Sequence, residues 1–228
     1  VSGYGEFCPI AKAMDVLDER WTLLVVRELL LGSTHFNELR RGNPKMSPAL
    51  LSRRLRSLER SGVLRREIGV DGRAAYILTD AGRELSTVVQ ALGAWGVRWI
   101  GDLGDRDLDP HLLLWDIRRT IPIRAWPDER TVLAVEFTDV PGKEAHWWLL
   151  VERGTAAICD YDPGFEVAAT VRSTLRQLTE IWRGDRSWAA ALRDETTEIV
   201  GPASIRRQVP HWIGQASLAA TPRPERAE

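Results

Sequence analysis

Cysteine occurs twice in this chain, at Cys8 and Cys159, with no CxxC or Cys/His spacing around either. That scarcity argues against a disulfide framework and a cysteine-bound zinc site alike, and a reducing cytoplasm is the simplest setting. The four histidines, His35, His111, His146 and His211, stand apart without HExxH or HxH spacing, so no metal centre is expected. There is no P-loop, GxGxxG or GxSxG, and the acidic pairs Asp128-Glu129 and Asp194-Glu195 sit in hydrophilic stretches that read as solvated turns. Neither catalysis nor a cofactor is expected. Apolar runs fall short of the ~18 to 20 residues of a spanning helix. The first residues lack the charged and apolar blocks of a signal peptide, so the expectation is a cytoplasmic protein without a membrane partner.

Lysine is scarce too, at 3 residues against 28 arginines. With such a bias arginine by itself carries little information, and position has to decide. Residues 1–104 hold 15 Lys+Arg and 12 Asp+Glu, whereas residues 105–228 hold 16 and 20, so the two halves carry opposite net charge. Between His35 and Arg66 there are nine basic and two acidic residues, where the chain average gives roughly four of each. The near-neutral total conceals a local basic excess.

Local pattern places that excess on a helix. Apolar residues from Pro9 to Gly32 recur at helical spacing and predict two helices broken near Asp18. Thr34 is expected to cap a short helix ending at Arg41, which Gly42-Asn43-Pro44-Lys45 stops. Ser47 with Pro48 then signals a new helix start and Gly62 its end. "VLRREIGVDGRAAYILT" predicts a hairpin around Asp71-Gly72 with Arg73 at its tip, and Thr79 opens a long helix with Leu85, Val88, Val89, Leu92, Trp95 and Trp99 on one stripe.

In "SPALLSRRLRSLERSGVLRR", helical periodicity sends Leu50, Leu51, Leu55 and Leu58 to one side and Ala49, Ser52, Arg53, Arg56 and Arg60 to the other, with Arg54 on the leucine side. Guanidinium forks fit phosphate oxygens and guanine edges, so an outer face of arginine, serine and alanine suits a nucleic acid better than solvent alone. Short helix, turn, basic helix, then a hairpin is the order of a winged helix-turn-helix. Double-stranded DNA is the expected partner. The residues expected to meet it are Ser47, Ala49, Ser52, Arg53, Arg56 and Arg60, with Arg40 toward the phosphates and Arg73 at the wing.

The run from Cys8 to Arg66, followed by "YILTDAGREL", resembles the HxlR-type bacterial transcription regulators. The resemblance covers about residues 8–99. It implies a dimeric regulator in which the first helix, here with Ile10 and Met14, and the helix after the wing, here with Leu85 to Trp99, form the contact with a second copy. It also places Cys8 where the family commonly carries a cysteine that senses oxidants in some members. Glu6 and Lys12 beside it do not favour a thiolate, so Cys8 is read as structural.

The second half holds seven of the ten tryptophans: Trp115, Trp126, Trp147, Trp148, Trp182, Trp188 and Trp212. Strands are predicted from Thr131, His146, Thr155, Phe165 and near Thr196, and helices over 173–182 and 187–192. Adjacent Trp147 and Trp148 must face opposite sides of their sheet. The stretch from Cys159 to Ile213 resembles a sterol-carrier-protein-like domain, covering about residues 132–213, a fold that elsewhere holds an apolar ligand between sheet and helices. Phe137, Trp148, Phe165, Leu178, Trp182, Trp188 and Leu192 are the candidates for such a pocket.

The expected fold class is therefore a mainly α winged helix-turn-helix domain over residues 1–100 and an α+β sterol-carrier-protein-like domain over 111–216. Residues 101–110 are read as a linker and 217–228 as a mobile tail. The function expected is an operator-binding dimeric regulator responsive to a hydrophobic small molecule. The alternative is a hydrophobic-ligand carrier whose basic N-terminal domain meets another acidic partner.

Overall fold

A computed structural model describes residues 3–5, 7–100 and 103–223 and divides the chain into two compact units, Val1–Trp95 and Gly96–Glu228. The division falls inside a helix, ahead of the linker expected at 101–110. Residues 101 and 102 lie outside the described residues. From Leu103 onward the expected linker is tied down: Arg176 donates to the Leu103 main-chain oxygen at 2.9 Å and to Asp105. Asp109 then caps a helix, its Oδ1 accepting the Leu112 N–H at 2.9 Å. The Asp-Pro pair that resembles a loop is a helix start, because proline at the first helical position lacks only an N–H that would be unsatisfied anyway.

The first unit contains α1 (Pro9–Leu17), α2 (Thr22–Leu30), α3 (Phe36–Arg41), α4 (Pro48–Arg60), an antiparallel hairpin of β1 (Leu64–Ile68) and β2 (Ala74–Leu78), and the start of α5 (Asp80–Trp99). The break near Asp18 is sharp because Trp21 takes a left-handed backbone, φ +79°, a conformation that costs a non-glycine residue roughly 1–2 kcal/mol. Arg54 of α4 holds this turn, its Nε donating to the Arg20 main-chain oxygen at 3.0 Å and its Nη2 pairing with Glu19. Val25, Val26, Leu39, Leu51, Leu55, Leu58 and Leu64 form the core at the meeting of α2, α3, α4 and the hairpin.

The second unit contains α6 (Pro110–Thr120), β3 (Thr131–Phe137), β4 (His146–Glu152), β5 (Thr155–Cys159), β6 (Ala169–Ser173), α7 (Leu175–Arg183), α8 (Trp188–Arg193), β7 (Thr197–Val200) and α9 (Ala203–Ile213). The sheet order is β5-β4-β3-β6-β7, with only β3 and β6 parallel. Buried residues from α6, α7, α8 and α9 pack on Leu133, Val135, Phe137, Trp147, Leu149, Val151, Val171 and Ile199, so this unit is α+β in two layers. Alternation along β4 buries Trp147 in that layer and leaves Trp148 half-buried on the other face. The strand expected from Phe165 begins at Ala169. Pro163 and Gly164 form a turn, the Gly164 N–H bonding Asp162 Oδ1 at 2.8 Å, and Phe165 lies 4.0 Å beneath the Arg130 guanidinium.

The segment expected to be a mobile tail is anchored as far as it is described. Arg223 reaches Asp185 and the main-chain oxygens of Arg183 and Gly184, contacts invisible to an apolar-content argument. Residues 224–228 lie outside the described residues.

Candidate nucleic-acid interface

The turn between α3 and α4 is built around a buried carboxylate. Glu28 of α2 is fully buried and pairs with Arg27 at 2.7 Å, while Arg27 also donates to the Gly42 main-chain oxygen at 3.1 Å. A Cβ at Gly42 would lie 1.7 Å from a Glu28 oxygen, so glycine alone lets the chain pass. Asn43, buried as well, donates to the Leu39 oxygen at 3.0 Å. α3 is capped at His35, one residue beyond the expected Thr34, because Glu38 folds back to accept the N–H groups of Thr34 and His35 at 2.9 and 3.0 Å.

α4 projects from that turn with its start fixed by the Ser47 Oγ, which accepts the Leu50 N–H at 3.3 Å, and Pro48 in the first turn. Leu51, Arg54, Leu55 and Leu58 are buried, whereas Ala49, Arg53, Arg56 and Arg60 are exposed and Ser52 is half-buried. Leu50, expected on the inner side, is only half-buried. Among the described residues Arg53, Arg56 and Arg60 have no ion-pair partner, so the outer face of α4 presents three uncompensated guanidiniums. Arg40 is exposed in the last turn of α3.

The wing is joined to this assembly through backbone. Tyr76 N–H donates to the Thr34 oxygen at 2.8 Å, His35 bridges Ala75, and His35 Nδ1 donates to the Ala74 oxygen at 3.0 Å. At the tip Gly72 takes φ +74° and Arg73 is exposed but paired with Asp71. The Arg73 N–H bonds Asp71 Oδ1 at 3.0 Å and its Nε bonds Oδ2, and these contacts hold the Asp71 carboxyl below the usual carboxylate range. On β1 strand alternation is expected to let only one of Arg65 and Arg66 face the DNA backbone; both are exposed, with Arg65 held by Glu67 at 2.5 Å. Sequence pattern did not single out Val70, which is fully exposed in the hairpin turn.

On α5, Val88, Leu92, Trp95 and Trp99 are exposed, while Leu85 and Val89 are half-buried against the first unit's core. On α1, Ile10 is exposed and Met14 half-buried. The expected contact stripe therefore splits, with Leu85 and Val89 serving the fold.

The seven expected pocket residues of the second unit do not converge. Phe137, Leu178, Trp182 and Trp188 are core, the two indoles donating to Asp116 Oδ2 at 2.8 Å and the Gly214 oxygen at 3.2 Å. Trp148 is on the opposite face of the sheet from this core, Phe165 lies exposed under Arg130, and Leu192 lines a cleft at the β7 edge. Burial of a tryptophan with a hydrogen-bonded Nε1 is core behaviour, which composition alone does not separate from a binding site. Among the described residues no His/Cys/Asp/Glu group of three or more could hold a metal, and no helix is long and apolar enough to cross a membrane.

Helix, turn, a helix with a bare basic face, and a hairpin fastened beside it define a winged helix-turn-helix DNA-binding unit. The HxlR-like helix-turn-helix family profile matches residues 16–103. The HTH-type transcriptional regulator YvaP of Bacillus subtilis is 39% identical over 98 residues, 42% of this chain and 91% of that protein. The HTH-type transcriptional regulator sll1512 of Synechocystis is 37% identical over 98 residues, 42% of this chain and 73% of that protein. The solved reduced form of the regulator YodB from B. subtilis is 29% identical, covering 42% of this chain and all of that one, with a TM-score of 0.38. The chain belongs to the HxlR-like helix-turn-helix family. Its N-terminal unit is a DNA-binding unit of a transcriptional regulator, not an enzyme.

Proposed function

We propose that the protein binds an operator as a homodimer, reading bases with Arg53 and Arg56 of α4 and holding phosphates with Arg40, Arg60 and the wing. The carrying observation is the outer face of α4, where those arginines are exposed and lack carboxylate partners among the described residues. Ala49 and the half-buried Ser52 keep the helix surface low enough for the groove floor, and Ser47 fixes the helix start. A two-fold dimer presents two such helices to half-sites about 34 to 36 Å apart. The exposed Val88, Leu92, Trp95 and Trp99, with Ile10 of α1, supply the apolar surface that the second copy covers.

Footprinting on the chain's own upstream DNA tests the reading. Protection of a pseudo-palindrome is expected, with log affinity falling by ~0.9 per neutralised phosphate per unit log salt. Binding with no preference among sequences would sink it and favour a carrier with an unspecific basic head. The second unit is proposed to respond to an apolar small molecule and thereby bias the dimer, with its fold read as sterol-carrier-protein-like from the order of its elements. A ligand can shift operator affinity only through different affinity for the two states of the dimer.

A further inference from the structure

The second unit carries an open cleft of about 1020 Å³ at the β7 edge of its sheet, between β7, the α8–β7 turn and α9. We propose that this cleft binds a small aryl monocarboxylate, an inference that rests on reading the second unit as ligand-responsive and moves the site away from the filled core. Leu192, Ile199 and Pro210 give it apolar walls. Arg206 and Arg207 give it charge, and both are exposed.

These two arginines differ from others in the unit. Arg172 holds Glu136, Arg176 holds Asp105 and Arg186 holds Asp194, whereas among the described residues Arg206 and Arg207 meet no carboxylate. They also sit within five residues of the start of α9, whose cap residue Pro202 makes no side-chain hydrogen bond and whose first turn has no acid. The positive end of the helix therefore adds to two guanidiniums rather than offsetting them, and an anion relieves both.

The carboxylates nearby limit the ligand. Glu198 is already shared with Arg172 at 3.8 Å. Glu195, which also lines the cleft, disfavours a second negative group there, so a monoacid fits better than a diacid. One guanidinium fork accepts a carboxylate through two parallel bonds, and the planar neighbour stacks on an aromatic face, which favours an aryl body over a flexible chain. The volume lies at the upper end of ordinary small-molecule sites, about 300 to 1,000 Å³, and accommodates a fused bicyclic ring.

The test is calorimetric titration of the full chain with 2-naphthoate and with 2-naphthol. Saturable one-site binding of naphthoate is expected. Arg206→Gln with Arg207→Gln should weaken it at least tenfold and leave the weaker naphthol binding unchanged. Ala203→Trp, at an exposed position lining the cleft, should abolish both while thermal unfolding stays as in the parent. No saturable naphthoate binding, or equal binding by the double variant, overturns the site. Parallel operator titrations separate the two readings. Naphthoate that binds without changing operator affinity leaves the site standing and removes the regulatory reading; an operator response that survives the double variant keeps regulation and overturns the site.

Discussion

Arg54 donates its Nε–H to the main-chain oxygen of Arg20 at 3.0 Å, so one arginine of the basic helix is structural while its neighbour Arg53 faces solvent. The bond spans α4 and the α1–α2 turn, where Trp21 is in its left-handed conformation. Arg54→Ala is expected to lower stability by about 2 kcal/mol in urea unfolding, because it removes the charge-assisted bond to the Arg20 carbonyl and the pairing with Glu19 and leaves the turn unsupported. Arg53→Ala with Arg56→Ala should stay within about 0.5 kcal/mol of the parent while operator affinity falls by about 1 to 3 kcal/mol for each base no longer read. The two variants exchanging phenotypes would mean that the helix face is misassigned.

α5 offers a paired test of packing. A Cβ at Gly82 would lie 2.1 Å from the Val63 main-chain oxygen, a backbone atom with no freedom to give way. Gly82→Ala should therefore cost about 1 to 3 kcal/mol. At Gly96, in the same helix, nothing lies within 4 Å of the added atom, and the backbone is not in the left-handed region. Gly96→Ala should stabilise by roughly 0.5 to 1 kcal/mol, read by thermal unfolding. Equal effects at both positions would contradict the close approach of α5 to the Val63 backbone just ahead of β1.

How much of the molecule is legible in its sequence follows from the range of the forces involved. The break near Asp18, the stop before Pro44 and the start at Ser47 depend on neighbouring residues, and helical periodicity alone separates Arg53 from Arg54. Alternation separates Trp147 from Trp148 for the same reason. The cap falls at His35 rather than Thr34 because Glu38 reaches back past Thr34, and Phe165 lies in a loop because the Pro163-Gly164 turn outweighs the β-branched composition that follows it. Core and pocket tryptophans are indistinguishable in sequence because their partners are remote: Trp182 bonds Asp116, 66 residues earlier, and Trp126 bonds the Trp212 oxygen across 86. α6 escapes the sequence pattern although Asp109-Pro110 announces it, and α9 does so because Pro210 in its last turn argues against a helix.

The wing tip gives a pH dependence of known sign. Asp71 has its carboxyl held below the ordinary range first by the Arg73 main-chain N–H and then by the Arg73 guanidinium. A depressed folded-state value means that this clamp stabilises the wing fully above the unfolded carboxylate value, about 3.9, and that the stabilisation fades as pH falls through the folded value. Carboxyl titration by NMR should place the Asp71 midpoint below the ordinary one. Arg73→Ala should restore it only in part, since the main-chain donor remains. An unshifted Asp71 in the parent would remove the clamp. Asp71→Asn should also strengthen binding to all DNA sequences by about threefold at low salt, as one negative charge leaves the phosphate-facing tip.

The proposed dimer rests on exposed side chains that the first unit's core does not use. Leu92 and Trp95 are each about half exposed and lie on the stripe with Val88 and Trp99, whereas Leu85 and Val89 pack inward. Leu92→Glu with Trp95→Glu therefore places two charges where a second copy must desolvate them, at several kcal/mol, without opening the monomer's core. Sedimentation should show a dimer for the parent and a monomer for the variant, with unchanged far-UV circular dichroism. Operator affinity should fall at least a hundredfold, because linking two half-site contacts raises avidity by about 10² to 10⁴. A single half-site should bind both proteins alike, since Arg53 and Arg56 are untouched. A variant that remains dimeric would move the interface off α5, and a monomer that keeps full operator affinity would show that one copy suffices for recognition.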